Sequence, residues 1–388
     1  MHICRIATVP FFFQHHLREQ IVATVAQGHR VTLIFGPGRE LGDLLPIEGC
    51  LFKEIELPRN ISLRADVKAL WRLYWHFRRA KYDIVHSTTP KAELLSAVSS
   101  FLARIPIRIH TFTGQPWMEK KGLIRVVARL ADRITAFLST RVYADSPTQS
   151  AFLVSEGICN PNKIFVLGSG SLAGVNLSRF NVGYRDQKGP VVRQDLKIEN
   201  DETILTFIGR ITAEKGVEEL ITAFDMINPE KNRCVLLLVG PEDTEHGGLS
   251  RTIKQKIETN KKIKLVGYTN EPEKYLAATD IFCLPSHREG FGNVVLEAAA
   301  MAVPTVGSDI IGLRDAILHG ETGVLVPPKN AEALANAFDN LLTHPDWRAQ
   351  LGKNALDRAV RDFDSKRINN FMLLEYDQMY NQSLSLRD

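Results

Sequence analysis

What this chain lacks narrows its function first. Its 388 residues include five cysteines, Cys4, Cys50, Cys159, Cys234 and Cys283, odd in number and without a Cys-x-x-Cys pair. That pattern argues against a disulfide frame or a zinc site and suits a reducing compartment. No apolar run reaches the ~20 residues needed to cross a bilayer, and Met1–Ile6 reads as the start of a strand rather than a leader. There is no internal repeat, Walker loop, Gly-x-Ser-x-Gly elbow, zinc finger, helix-turn-helix or aromatic ribonucleoprotein motif. Gly168-Ser169-Gly170 with Gly174 lacks the spacing of a dinucleotide fingerprint. Asp362-Phe363-Asp364 has the form of some metal sites, yet it lies in a late segment flanked by Arg and Lys rather than at a strand end. No metal ligand, cofactor or nucleic-acid partner is therefore expected.

What is present is a regular alternation of strand and helix patterns. A hydrophobic content of 44% with 24% charged residues describes a globular chain, too long for one ordinary domain and comfortable for two. In the first half, strands are expected at Ile3–Val9, Arg30–Phe35, Ile84–Ser87, Ile107–Phe112, Val142–Asp145 and Ile164–Leu167. Helices are expected between them at His16–Gln27, Ser62–Lys81, Lys91–Ala103, Leu123–Arg141 and Ser146–Glu156. In the second half, strands are expected at Ile204–Ile208, Cys234–Val239, Ile263–Val266, Ile281–Leu284, Thr305–Gly307 and Gly323–Val326. Alternation of this kind implies parallel sheets covered on both faces. The polar stretch Asn181–Asn200, with Gly189-Pro190 inside it, reads as an interdomain linker.

Two segments carry chemistry. In Glu289-Gly290-Phe291-Gly292-Asn293-Val294-Val295-Leu296-Glu297, two carboxylates stand eight residues apart around a Gly-Phe-Gly turn. Such a turn lets backbone N–H groups approach a ligand, and the following helix presents its positive end. Upstream, a strand ending at Gly209 leads into Arg210-Ile211-Thr212-Ala213-Glu214-Lys215-Gly216 and then a helical pattern. A guanidinium and an ammonium placed there suit a diphosphate without any metal.

Together, Gly209-Arg210, Lys215-Gly216, Glu289-Gly290-Phe291-Gly292, Glu297-Ala298 and the closing Gly320-Glu321-Thr322-Gly323 resemble the family 4 retaining glycosyltransferases. The resemblance implies an α/β GT-B fold, two Rossmann-like domains facing across a cleft. Residues 1–180 would bind the acceptor, with a C-terminal helix at 366–388 packing back on them, and residues 181–365 would bind a nucleotide sugar. Carried over by position, Arg210 and Lys215 hold the donor diphosphate, and Glu289 contacts the donor sugar. Gly209, Gly290, Phe291, Gly292 and Asn293 line the donor site, and Glu297 holds the ribose.

Charge is divided unevenly. Residues 1–180 hold 23 Lys and Arg against 13 Asp and Glu, leaving 25 against 31 for residues 181–388. An anionic partner for the first half is implied, and a membrane surface suits it. Ser62–Lys81 carries six cations and one acid beside Trp71, Tyr74 and Trp75, and Lys120-Lys121 opens a second basic amphipathic stretch through Arg125, Arg129 and Arg133. Both also fit ordinary helices with their apolar stripes on the core. A cytoplasmic protein resting on the inner face of the cell membrane is expected.

The first half departs from the common family pattern. Where many relatives have paired glycines, this chain has Pro10-Phe11-Phe12-Phe13-Gln14-His15-His16-Leu17-Arg18, similar to a subset acting on polyprenyl-diphosphate-linked sugars. His16 and Arg18 are acceptor-side candidates, and the downstream loop from Gln115 adds another. A reacting-centre histidine of the family matches His110 when aligned on His-Thr, but matches Thr113 when aligned on the glycine, and His110 equally suits a core position. The resulting expectation is retaining, metal-independent transfer of a hexose or N-acetylhexosamine from a UDP sugar, or GDP-mannose, to a lipid-linked saccharide. The surface polysaccharide or O-antigen pathways of a bacterium would use such a step. A sugar-nucleotide 2-epimerase and a silent nucleotide-sugar binder are the alternatives.

Overall fold

The computed structural model describes residues 1–37, 47–57, 62–243 and 248–385. It divides into two compact units, residues 1–174 with the C-terminal helix Ser365–Ser385, and residues 175–364. The first holds a seven-stranded sheet in the order β3-β2-β1-β4-β5-β6-β7. These strands are β1 (His2–Ile6), β2 (Arg30–Phe35), β3 (Cys50–Glu54), β4 (Ile84–Ser87), β5 (Ile107–Phe112), β6 (Arg141–Ala144) and β7 (Ile164–Val166). The second holds six strands in the order β10-β9-β8-β11-β12-β13. They are β8 (Thr203–Ile208), β9 (Cys234–Val239), β10 (Ile263–Gly267), β11 (Ile281–Leu284), β12 (Thr305–Ser308) and β13 (Gly323–Val326). All these pairings are parallel.

The central strands are buried on both faces, which is why β9 reads as an unbroken apolar run, Cys-Val-Leu-Leu-Leu-Val. In each sheet the chain starts in the middle, winds to one edge, and returns to the other side. That reversal lies between β1 and β4 in the first unit and between β8 and β11 in the second. Loops leaving the carboxyl ends of strands diverge at such a point and open a crevice for ligands.

Three expectations need correction. Asn181–Asn200 is not a linker, because it contains the helix Val182–Asp195, capped by Asn181 Oδ1 accepting from Tyr184 N at 2.9 Å. Gly189 lets that helix press on the helix Pro272–Ala278 of the same unit, since a Cβ there would lie 2.6 Å from the Ala277 carbonyl oxygen. The boundary accordingly falls near 174, not 180: Val175 bridges Asp364, and Phe180 lies in the second unit's core. The helix expected from His16 begins earlier, as a turn at Pro10–Phe12, a π-helical turn at Phe13–Leu17, and an α-helix at Arg18–Ala26. Strand β3 was not expected: it is a mostly exposed edge strand with no β-branched residue.

The C-terminal helix docks on the first unit through buried polar contacts. Tyr376 Oη receives a hydrogen bond from Arg5 Nη1 at 2.9 Å and lies 2.7 Å from His86 Nδ1.

Candidate functional site

The loops flanking the second unit's reversal point are those that carry the two sequence motifs. Strand β8 runs into Gly209-Arg210, followed by a short 3-10 turn at Ala213–Lys215. Gly216 then takes a left-handed conformation, φ 71°, and opens the helix Val217–Met226. A Cβ on Gly216 would sit 2.0 Å from the Pro285 carbonyl oxygen, so the glycine lets this loop lie directly against the exit of β11. The same exit carries Ser286 through Glu289.

The close approach brings together residues 74 apart in sequence. Lys215 Nζ donates to Glu289 Oε1 at 2.6 Å, and Ser286 Oγ donates to the same oxygen at 2.7 Å. Neither Lys215 nor Glu289 is sealed away, so the pair is held yet reachable. Around it, Arg288 pairs with Glu214 at 2.5 Å and His287 Nε2 lies 2.9 Å from Glu219 Oε1. The His287 backbone N–H donates to the Glu214 carbonyl at 2.9 Å. Four links thus tie the loop after β8 and its helix to the loop after β11. Arg210 points from the same loop to Asp243, 2.7 Å away on the segment following β9, and is 43% exposed.

Gly292, at φ 71°, ends the turn and caps the helix Asn293–Ala300. A Cβ there would meet Leu313 Cδ2 at 2.5 Å. Phe291 is buried, with its ring 5.6 Å from that of Phe363, and anchors the turn to the core. Gly209, Gly290, Gly292 and Asn293 remain partly exposed. Glu297 lies in the second turn of the helix, half-buried. Burial raises its carboxyl to about 7, opposed by the nearby Arg179 and reinforced by Glu273. Arg179 is itself held by Glu273 at 2.6 Å.

The acceptor-side candidates lie in the first unit. His16 is half-buried in the π-helical turn, its ring 5.1 Å from that of Phe12. Burial and then His15 lower it to about 4. Arg18 Nη1 donates to Gln14 Oε1 at 3.0 Å. Phe11 is exposed and stacks on His15, whereas Phe13 is core. Thr113 is half-buried and donates to the Thr88 carbonyl at 3.2 Å. Gln115 is buried, accepts from Gln149 Nε2 at 3.4 Å, and leaves its own Nε2 without a hydrogen-bond partner.

Of the alternatives open at the end of β5, Thr113 is placed where solvent reaches and His110 is not. His110 is 1% exposed, with Nδ1 2.9 Å from Ser87 Oγ. Its Nε2 lies 2.9 Å from Glu93 Oε2, without the alignment of a hydrogen bond. Burial lowers His110 to about 4 and raises Glu93 and its neighbour Asp132 each to about 8, so the cluster is largely uncharged at neutral pH. Geometry of this kind fits the core position that His110 also suited.

Sequence reasoning missed Ser286, Asp243 and the Glu214–Arg288 and His287–Glu219 pairs. Ser286 had a local signal, three residues before Glu289 in the same loop. The remaining partners come from separate loops and had none. Among the described residues, no cluster of His, Cys, Asp or Glu has the grouping of a metal site.

Two family models match the chain. One, described as glycosyl transferases group 1, covers residues 190–358; the other, a glycosyl transferase 4-like domain, covers residues 14–170. The chain is 29% identical over 368 residues to the capsular polysaccharide biosynthesis glycosyltransferase CapM of Staphylococcus aureus, covering 95% of this chain and 94% of that protein. It is 27% identical over 334 residues to the Escherichia coli UDP-Gal:alpha-D-GlcNAc-diphosphoundecaprenol alpha-1,3-galactosyltransferase, covering 84% and 83% respectively. In fold it is similar to Anabaena HepE, solved with UDP and glucose, at a TM-score of 0.81 and 19% identity over 97% of this chain and all of that one. WaaG, a glycosyltransferase involved in lipopolysaccharide biosynthesis, aligns at a TM-score of 0.72 and 17% identity, covering 96% and 98%.

Proposed function

Since the chain belongs to the family 4 glycosyltransferases of GT-B fold, we propose that it moves a hexose or N-acetylhexosamine from a UDP sugar to a lipid-linked saccharide, with retention and without a metal. The observation that carries the donor half is the Lys215–Glu289 pair at the reversal point of the second sheet, steadied by Ser286. A cation and a sugar-binding carboxylate in contact suit the junction between a donor's diphosphate and its sugar. The UDP named with HepE and the UDP-Gal named with the E. coli relative favour uridine over guanosine.

In the reaction, the bond from the anomeric carbon to the diphosphate breaks and a bond to the acceptor oxygen forms on the same face. The acceptor proton passes to a leaving phosphate oxygen, and the nucleoside diphosphate departs. Lys215 and Arg210 stabilise the charge that grows on it, Arg210 exchanging Asp243 for phosphate, while Asn293 and its neighbours offer backbone N–H groups at the helix end. Glu289 holds sugar hydroxyls, and Glu297 receives the ribose. Thr113, Gln115, His16 and Arg18 stand on the acceptor unit.

The diphosphoundecaprenol acceptor named with the E. coli relative supports a polyprenyl-diphosphate sugar here. Capsule or O-antigen assembly at the cytoplasmic face of a membrane is the corresponding setting. The test incubates the protein with UDP-galactose, UDP-glucose, UDP-N-acetylglucosamine or GDP-mannose in EDTA, with and without a synthetic polyprenyl-diphosphate sugar. Acceptor-dependent release of UDP and an α-linked product by NMR are expected. Nucleotide-sugar turnover that never needs an acceptor would point instead to the epimerase reading.

A further inference from the structure

The helix Gly122–Leu138 is docked through a face of small and polar residues, Ala128, Asp132, Thr135 and Ala136, with its large apolar residues outward. Asp132 and Thr135 are buried, with Asp132 Oδ2 accepting from Trp117 Nε1 at 2.7 Å. Leu123, Val126, Val127, Leu130, Ile134 and Phe137 are all exposed, Leu123 by 77% and Phe137 by 80%. Their spacing follows successive helical turns, so they form one stripe opposite the buried face. Globular helices normally bury such a stripe, and an exposed contiguous one marks an interaction surface.

The surrounding charge selects the occupant. Lys120 and Lys121 stand exposed at the helix start, and Arg125, Arg129 and Arg133 form a row along one flank, Arg129 paired with Glu156 at 2.8 Å and Arg133 donating to the Gly157 carbonyl. The helix's one acid, Asp132, is buried. On the same side of the sheet, the helix Pro90–Leu102 packs against both this helix and Leu63–Ala80. The latter exposes Trp71 and Trp75 beside Lys68, Arg72, Arg78 and Arg79. A second copy would set cations against cations. Apolar stripe, flanking cations and exposed tryptophans match the acyl, headgroup and interfacial layers of an anionic bilayer.

We propose that the helix Gly122–Leu138 lies in the plane of an anionic membrane with its Leu123–Phe137 stripe inserted, and is the anchor of this protein. This deepens the reading above and rests on it for its purpose. Among the described residues no helix is long and apolar enough to cross a membrane, yet the proposed acceptor is a lipid. Anchoring by apolar insertion makes the Leu63–Ala80 cations an electrostatic supplement.

The test sediments the full-length protein with vesicles of phosphatidylcholine alone or mixed with phosphatidylglycerol. Wild type is expected to bind the mixed vesicles and to keep part of that binding at about 0.5 M salt, where exposed charges are screened. Val126→Glu with Leu130→Glu should weaken binding at least ~tenfold, with an unchanged circular dichroism spectrum. Val360→Glu, at an exposed apolar site of the other unit, should bind as wild type does. Unchanged vesicle binding by the double variant overturns the proposal. So does a wild type that ignores vesicles but forms a dimer in sedimentation velocity that the double variant dissolves. Stripe-dependent binding without transfer to any acceptor would support the anchor and count against the function.

Discussion

Lys215 and Glu289 show how a site depends on single atoms. Lys215→Ala removes the cation that pairs with Glu289 and leaves that carboxylate the Ser286 hydroxyl. Loss of one preorganised charge at a growing anion costs ~100-fold or more in turnover. A steady-state kcat reduced by that order, with an unaltered melting temperature, is expected; wild-type turnover would remove Lys215 from the mechanism. Gly216→Ala acts differently. Its Cβ would enter the Pro285 carbonyl, and its φ of 71° disfavours any side chain. Both the melting temperature and affinity for UDP should fall, read by thermal shift with and without nucleotide. These residues were legible because glycine, lysine and glutamate sit at motif spacing. Asp243, which pairs with Arg210, and Glu219, which faces His287, were not, since only the fold brings separate loops within reach.

Helices and loops add their own predictions. The Val182–Asp195 helix contains Pro190 and Gly189, residues that break helices in isolation. It forms because Asn181 caps its start and because Arg185 reaches the Met301 and Thr279 carbonyls at 2.9 and 3.2 Å. Tertiary packing overrode composition. Asn181→Ala should destabilise the protein by ~1 kcal/mol, measured by urea unfolding, and no change would mean the cap is dispensable. The buried acids of the first unit give a pH signature. Burial raises Glu93, Asp132 and Asp145 each to about 8. In the folded state they keep protons that the unfolded chain has released, so stability falls as pH rises toward 8. His2, His16 and His110, lowered to about 4 mainly by burial, act oppositely but only up to their unfolded value near 6.5. Between pH 6.5 and 8 the acids therefore dominate. The melting temperature should decline across that window, and Asp145→Asn should flatten the decline; a slope untouched by the substitution contradicts the assignment.

At the scale of the whole molecule, each of the two parallel sheets carries its own set of candidate residues. The second unit carries the residues proposed for the donor, in the loops around one reversal point and in the helix Asn293–Ala300. The first carries the acceptor candidates, the surplus of positive charge and the outward-facing stripe. If the donor is held by side-chain cations and helix-end amides, EDTA should leave the affinity for UDP unchanged by calorimetry. A large loss would show that a divalent ion takes part.

Most strand positions, the parallel α/β class and the spacing of the two glycine-bearing motifs followed from sequence alone. Apolar runs, alternation and glycine spacing are local properties, written into neighbouring residues. Tertiary structure decided which face of the Gly122–Leu138 helix meets solvent, that Asn181–Asn200 is a packed helix, and that His110 is enclosed with Glu93 and Ser87. Each of those depends on what a distant segment covers or leaves open. Amphipathicity tells that a helix has two faces; only the rest of the fold says which one is already occupied.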